Sequence, residues 1–268
     1  TDSKFKVNLG KDVERLSPEK IAQESDIILS IGGDGTILRC ARLLLNEGHW
    51  KDTGLVGINA GHLGFLSSIS AVEADKQVEA ILKNPKQCPL QARSCLEVII
   101  RRNKKEYKRF DALNDAVLNS GSLSRLLEFH VEVNGEFLSG YRADGIVIST
   151  PTGSTGYNLA AGGSIIEPTT PIIQLTPICP QSFSNKPIVI SDKNHVKLGL
   201  PEDSSNAFLT LDGQFGIEIG PKDEIEVFKS SKTIQLALSD PKTFDQLLAS
   251  VYERARETTT RYEPNVYY

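Results

Sequence analysis

The chain has 268 residues, 39% of them hydrophobic and 24% charged, which is enough to bury a core without metal or disulfide staples. Thirty basic against 34 acidic side chains leave a net charge of −4, so the surface as a whole exerts no pull on nucleic acid or anionic membrane. Any phosphate chemistry must be local, and no apolar run reaches the length that spans a bilayer.

From residue 17 to residue 101 strand and helix signals alternate. Residues 26–31 are a short apolar run ending in a glycine cluster, which predicts a buried strand. Residues 37–47 carry apolar side chains at helical spacing. Residues 55–59 read as a second strand. Residues 71–83 read as an amphipathic helix with Val72, Val78, Ile81 and Leu82 on one side. Strand, helix, strand, helix predicts βαβ units and a parallel sheet.

The pattern changes near Pro85 and Pro89. Residues 96–100, 116–118 and 129–133 have strand period, and Asn134-Gly135 sits between two alternating runs as a hairpin signal. Asp212-Gly213, between 208–211 and 215–219, repeats it. The basic run at 101–105 reads as a solvated hairpin tip rather than a nucleic-acid site. These strands predict a largely antiparallel, sandwich-type second domain. Residues 242–256 return to helical spacing. The expected division is an α/β domain over 1–90, to which 241–268 returns, and a β-rich domain over 91–240.

Cys40, Cys88, Cys95 and Cys179 show no zinc or disulfide spacing and read as reduced thiols. The four histidines fall into no triad or metal-ligand pattern. With no signal peptide visible, the expected location is the cytoplasm.

The sharpest chemical feature is Gly32-Gly33-Asp34-Gly35-Thr36, between the first strand and the first long helix. Three glycines in four positions free the backbone for positive φ and let a ligand approach. Successive N–H groups ahead of a helix N-terminus make an anion-binding concavity. An ordinary turn needs the glycines but not a carboxylate facing an anion. No Lys follows the last glycine, so the loop is not a Walker A sequence. A carboxylate there suits a hydroxyl acceptor in phosphoryl transfer, where positioning and charge stabilisation dominate. Its role could equally be to orient the hydroxyl or to act on a metal ion through the phosphates. A second feature runs from Asp144 to Asn158, where a short strand enters a loop dense in glycines and hydroxyls that offers hydrogen bonds to ribose, amide or phosphate groups.

Together, GGDGT at 32–36, INAGHLGFLS at 58–67, LND at 113–115, YRADGIVISTPTGSTGYNLAAGG at 141–163 and LTPICPQSFSNKPIVI at 175–190 resemble the ATP–NAD kinase family. Phosphofructokinases and diacylglycerol kinases carry loops similar to the first of these, but the TPTGST-x-Y segment is specific. The resemblance implies a Rossmann-like α/β N-terminal domain, a β-sandwich-type C-terminal domain and a C-terminal helix returning to the first. It implies transfer of the ATP γ-phosphoryl group to the adenosine-ribose 2′-hydroxyl of NAD⁺, with Mg²⁺ accompanying the nucleotide and a homodimer or homotetramer as the assembly. Asp34 resembles the family's proton acceptor, and Gly32, Gly33, Gly35 and Thr36 its phosphate-binding residues. Gly35, Asn114, Asp115, Arg125, Arg142, Asp144, Thr155, Gly156, Tyr157, Asn158, Ala160 and Gln214 fall at positions that contact NAD. Asp115 stands where the family usually has Glu, and Gly156 where it has Ala. No clear first strand with its own glycine-rich turn precedes residue 26. The alternatives are a lipid or sugar kinase with the same glycine loop, or a non-catalytic NAD(P) sensor; an intact Asp34 weighs against the sensor.

Overall fold

The computed structural model describes residues 13–59, 65–67, 69–120, 126–182, 185–237 and 249. Its elements in chain order are α1 (Pro18–Glu24), β1 (Ile27–Gly32), α2 (Asp34–Glu47), β2 (Gly54–Asn59), β3 (Ile69–Ser70), α3 (Ala74–Lys83), β4 (Leu90–Arg102), β5 (Lys105–Ala112), β6 (Asp115–Ser120), β7 (Leu127–Val133), β8 (Glu136–Ala143) and β9 (Gly145–Ser149). After these come α4 (Tyr157–Ala160), β10 (Ile172–Ile178), β11 (Ile188–Ser191), β12 (Val196–Gly199), β13 (Ala207–Leu211), β14 (Phe215–Ile219) and β15 (Asp223–Ala237).

The α/β half follows from its patterning. β1 and β2 pair in parallel, Ile28 opposite Leu55 and Ile31 opposite Ile58. Every residue of β2 is buried, as expected of a strand covered on both faces. On one face α2 packs Ile37, Leu38, Ala41, Leu44 and Leu45 against Leu55, Cys95, Leu113, Ile234 and Leu236. On the other, Val78 and Ile81 of α3 pack against Val56, Ile58 and Ile69. The sequence expectation for α3 needs correcting. The helix starts at Ala74, Val72 precedes it and is 96% exposed, and Leu82 faces solvent.

The β-rich half is a sandwich. One sheet has six antiparallel strands in the order β11-β10-β9-β6-β13-β14. Its inner face, with Ala116, Leu118, Ile146, Ile148, Leu175 and Leu209, closes a core against Leu96, Val98, Ile100, Val131, Leu198 and Val227 of the other sheet. The Asn103-Lys104 and Asn134-Gly135 turns hold both residues at positive φ, the geometry of a type I′ hairpin. Cys40, Cys88, Cys95 and Cys179 are all free thiols.

The two halves share a sheet. β15 pairs with β12 through Glu224–Val227 and in parallel with β2 through Gln235 and Leu236, while β4 runs along its opposite edge. A register shift between Lys229 and Thr233 lets one long strand serve both the sandwich and the α/β sheet. The expected C-terminal helix at 242–256 lies almost wholly outside the described residues.

Candidate active site

The outer face of the six-stranded sheet forms the floor of a cleft. Pairing puts Asp115 beside Ser149, Val117 beside both Val147 and Thr210, and Asn119 beside Phe208. Strand alternation turns these residues away from the core that Ala116 and Leu118 fill. The start of α2 overhangs this floor. Asp34, Leu38, Asn114, Asp115, Val117, Asn119, Gly156, Tyr157, Thr210, Asp212 and Gly213 enclose about 470 Å³.

Asp34 is the first residue of α2, so the helix begins three residues earlier than its apolar spacing suggests. Gly33 is the N-cap without a side chain to cap with, and its carbonyl accepts the N–H groups of Thr36 and Ile37. Of the loop glycines only Gly32 takes positive φ, at +153°; an added Cβ there would lie 2.5 Å from Thr36 Oγ1. Gly33 sits at φ −92°, which any residue adopts. The Asp34 carboxylate accepts the Phe65 N–H at 2.8 Å on Oδ2 and the Leu66 N–H at 3.2 Å on Oδ1. Each oxygen keeps a lone-pair site for a further donor. The N–H groups of Asp34 and Gly35 have no protein acceptor among the described residues.

Across the cleft, Asp115 opens β6 with only 5% of its surface exposed, and no side-chain donor among the described residues reaches its carboxylate. Burial, reinforced by the Asp212 charge, pushes its pKa up to about 7. Asp212, buried at the end of β13, accepts three backbone N–H groups, from Leu113 at 3.0 Å, Asn114 at 2.7 Å and Asp115 at 3.2 Å. Burial raises its pKa, and those three donors oppose the rise. Sequence reasoning saw Asp212 only as a turn former. Its clamp on the LND segment joins residues nearly a hundred positions apart, which no local signal shows. The backbone donors of Phe65 and Leu66 were likewise missed, because main-chain groups leave no mark in side-chain patterning.

The hydroxyl-rich loop after β9 departs most from expectation. Its polar groups are turned inward rather than offered to a ligand. Thr150 Oγ1 donates to the Leu113 carbonyl at 2.7 Å and accepts the Gly153 N–H at 3.0 Å. Ser154 Oγ donates to the Pro151 carbonyl and accepts the Ile166 N–H. The Asn158 amide is wholly buried, donating to the Ser154 carbonyl and accepting from Thr176 Oγ1. Thr155 bonds back to the Thr152 carbonyl. Tyr157, at 48% exposure, is the side chain this loop presents to the cleft, and Gly156 lines it beside Asn114.

Asp34, Asn114, Asp115, Gly156 and Tyr157 are therefore brought together. Gln214 does not line the cavity but reaches the loop, its Nε2 donating to the Gly35 carbonyl at 2.7 Å. Arg142 faces solvent on β8, paired with Glu128 at 2.9 Å. Asp144 is exposed where β8 passes into β9, and Ala160 is exposed at the end of α4. Arg125 lies outside the described residues.

A helix start with open N–H groups, facing a buried acidic floor, suits a phosphotransferase. Two family models match the chain: the ATP-NAD kinase N-terminal domain over residues 1–86 and the ATP-NAD kinase C-terminal domain over residues 113–239. An NAD kinase of Trichlorobacter lovleyi is 37% identical over 87% of this chain and 80% of its own length. One from Caldanaerobacter subterraneus is 36% identical over 92% and 85%. Among solved structures, a yeast NADH kinase complexed with NADH superposes with a TM-score of 0.78 at 28% identity, over 95% of this chain and 70% of that one. An NAD kinase from Archaeoglobus fulgidus in complex with ATP gives 0.73 at 26% identity, over 87% and 85%. The chain belongs to the ATP–NAD kinase family.

Proposed function

We propose that the protein transfers the γ-phosphoryl group of ATP to the adenosine-ribose 2′-hydroxyl of NAD⁺, giving ADP and NADP⁺. Family membership makes it an enzyme that phosphorylates NAD. The observation that carries the residue-level reading is Asp34: a carboxylate aimed by two backbone donors at the mouth of a cleft floored by Asp115. In the proposed step the ribose oxygen attacks the γ-phosphorus, its proton passes to an Asp34 oxygen, and ADP leaves with the bridging oxygen. The free N–H groups at the start of α2, with Gly32, Gly33, Gly35 and Thr36, receive phosphate oxygens, helped by the helix dipole. Asn114 and Asp115 take the adenosine half; Thr155, Gly156 and Tyr157 lie along the dinucleotide, with Asn158 and Ala160 shaping that loop. Arg142 and Asp144 are assigned to the nicotinamide end, and Arg125 to substrate.

Among the described residues no cluster of three carboxylate, histidine or cysteine side chains could hold a metal ion. Mg²⁺ is assigned to the triphosphate, as the family resemblance implies, where it would neutralise charge. A cytoplasmic homodimer or homotetramer completes the proposal; among the described residues no helix is long and apolar enough to cross a membrane. The two family models fall on either side of residues 87–112, which supports a domain division near residue 90.

The test is a coupled assay for NADP⁺ with purified protein, run with ATP or polyphosphate as donor and NAD⁺ or NADH as acceptor, beside an NAD⁺ titration. ATP-dependent NADP⁺ formation is the expected result. Saturable NAD⁺ binding with no product under any donor would instead establish a sensor.

A further inference from the structure

Helix α4 is a single turn of four residues, preceded by Gly156, which offers no side chain to cap it. One turn does not hold itself in water. Yet α4 carries Tyr157 at its first position, on the wall of the cleft. The side chain of Asn158 supplies the missing hold. Its amide nitrogen donates to the Ser154 carbonyl at 3.0 Å, and its amide oxygen accepts from Thr176 Oγ1 at 2.6 Å. The Asn158 main-chain carbonyl accepts the Gly163 N–H at 2.9 Å. A Cβ on Gly163 would lie 2.3 Å from the same amide, so the chain closes over Asn158 only because a glycine stands there.

Thr176 reaches α4 from a different element. It lies on β10, paired with Val147 of β9. Leu175 fills the sandwich core, so strand alternation turns Gln174 and Thr176 to the opposite face, toward α4. Both are wholly buried. The Gln174 amide meets the Ser164 main chain, its oxygen accepting the N–H at 2.8 Å and its nitrogen donating to the carbonyl at 3.0 Å. Two neighbouring side chains of one strand thus hold the segment that α4 opens, Thr176 at Asn158 and Gln174 at Ser164. A hydroxyl and an amide buried on a sheet face cost free energy unless paired. Packing alone would be met there by apolar residues of the same size, so the polar pair is explained by what it holds.

We propose that Thr176 is a positioning residue for NAD⁺ binding: through the Asn158 amide it fixes the turn of α4, and with it the direction in which the Tyr157 side chain meets the dinucleotide. The inference rests on the kinase reading. Thr176 is buried beneath the loop and acts through its neighbours, whichever atoms of the loop meet the ligand. The phosphate-binding start of α2 stands on the other wall of the cleft and shares no bond with Thr176 among the described residues, so the effect falls on the acceptor rather than on ATP.

Thr176→Val keeps the shape and removes the hydroxyl, leaving the Asn158 amide oxygen buried without its donor. KM for NAD⁺ should rise about fivefold or more, while KM for ATP stays within about twofold and kcat within about threefold. Thr176→Ser keeps the hydroxyl and should bring KM for NAD⁺ back to within about twofold of wild type. In a Tyr157→Ala background Thr176→Val should change KM for NAD⁺ by less than about twofold, because the side chain it aims is gone. Ile100→Val, in the sandwich core, should lower the melting temperature yet leave both KM values within about twofold, which separates positioning from lost stability. An unchanged KM for NAD⁺ in Thr176→Val overturns the proposal. So does an equal rise with and without the Tyr157 ring, or equal weakening of ATP and NAD⁺. If Thr176→Val loses its cooperative melt, Thr176→Cys, with a weaker donor, carries the same test. Absence of NADP⁺ from the wild-type protein overturns the kinase reading itself and is distinguished from these outcomes by the wild-type assay alone.

Discussion

Around Gly33 and Gly35 an added Cβ would meet no atom of the described residues within 4 Å beyond the adjoining backbone, whereas across the cleft a Cβ on Gly153 would run into the Asn114 backbone. The α2 wall leaves the Asp34 and Gly35 N–H groups open and, among the described residues, space beside Gly33 and Gly35. The sandwich wall does the reverse. Thr150, Ser154 and Asn158 spend their polar atoms on the protein, and Asp212 satisfies three N–H groups of the turn beside it. Glycine is therefore abundant on both walls for opposite reasons. On one it makes room for something that arrives; on the other it lets two stretches of backbone touch.

The largest effect expected from breaking this comparison is at the one carboxylate on the open wall. Asp34→Asn should lower kcat by about 100-fold or more, the lower range for loss of a general base. The melting temperature should change little, since the amide oxygen can still accept from the Phe65 or Leu66 N–H. Steady-state kinetics with a parallel thermal melt checks both, and retention of more than about a third of wild-type kcat rules Asp34 out as proton acceptor.

One substitution made on each wall sharpens the contrast. Gly153→Ala should destabilise the fold by about 1–3 kcal/mol or more, because the methyl group overlaps the Asn114 carbonyl in packed surroundings. Gly33→Ala, at a φ alanine adopts freely, should change stability by less than about 1 kcal/mol, because the N-cap preference for glycine over alanine opposes the gain from a stiffer unfolded chain. Its cost should appear in function, as a rise in KM for ATP of about tenfold, equivalent to ~1.4 kcal/mol of phosphate contact. Chemical denaturation and ATP kinetics on the two proteins should give opposite patterns. A destabilised Gly33→Ala with normal KM would show that the space beside Gly33 is not reserved for phosphate.

The sequence made the elements legible where periodicity was strong. β1, β2 and α2 follow from apolar spacing, and the Asn134-Gly135 hairpin follows from residues that accept positive φ. It misplaced the start of α2, because the signal used was burial, and the first turn is largely exposed, its contacts being polar ones to residues 65, 66 and 214. Leu82, read as apolar and therefore packed, is 67% exposed. In the site, Asp34 was visible because a carboxylate among glycines has no purely structural reason to be there. In the 150–158 loop, Thr150, Ser154, Thr155 and Asn158 bond to the protein itself, while Tyr157 faces the cleft. Composition reports which atoms can bond, but only the fold decides whether backbone carbonyls reach them first. The work of Asp212 was hidden because its three partners approach from a distant strand.

The remaining prediction turns on Asp115, the carboxylate of the closed wall that the wall leaves unserved. Its pKa in the folded protein is raised to about 7 from 3.8, by burial first and by the Asp212 charge second. A carboxyl whose folded pKa lies above its unfolded one holds more protons when folded, so stability falls as pH rises from about 4 to about 7 and then levels. Asp115→Asn removes the titration while keeping the shape. In the ligand-free protein its stabilising effect over wild type should grow by about 1 kcal/mol or more between pH 5 and pH 8, a fraction of the ~1.4 kcal/mol per pKa unit that full linkage allows. Asp212, held by three N–H donors and under the Arg42 charge, remains in both proteins, and the loss of its repulsion with Asp115 is part of the measured difference. The functional cost should run the other way. A buried acceptor waiting for a ribose hydroxyl is worth about 1.5–3 kcal/mol when met, so Asp115→Ala should raise KM for NAD⁺ about tenfold or more and leave KM for ATP within about threefold. Denaturant melts of Asp115→Asn at the two pH values, with kinetics on Asp115→Ala, measure the two sides of this exchange. A stability difference independent of pH, or equal weakening of both substrates, would mean that Asp115 is not held in reserve for the acceptor.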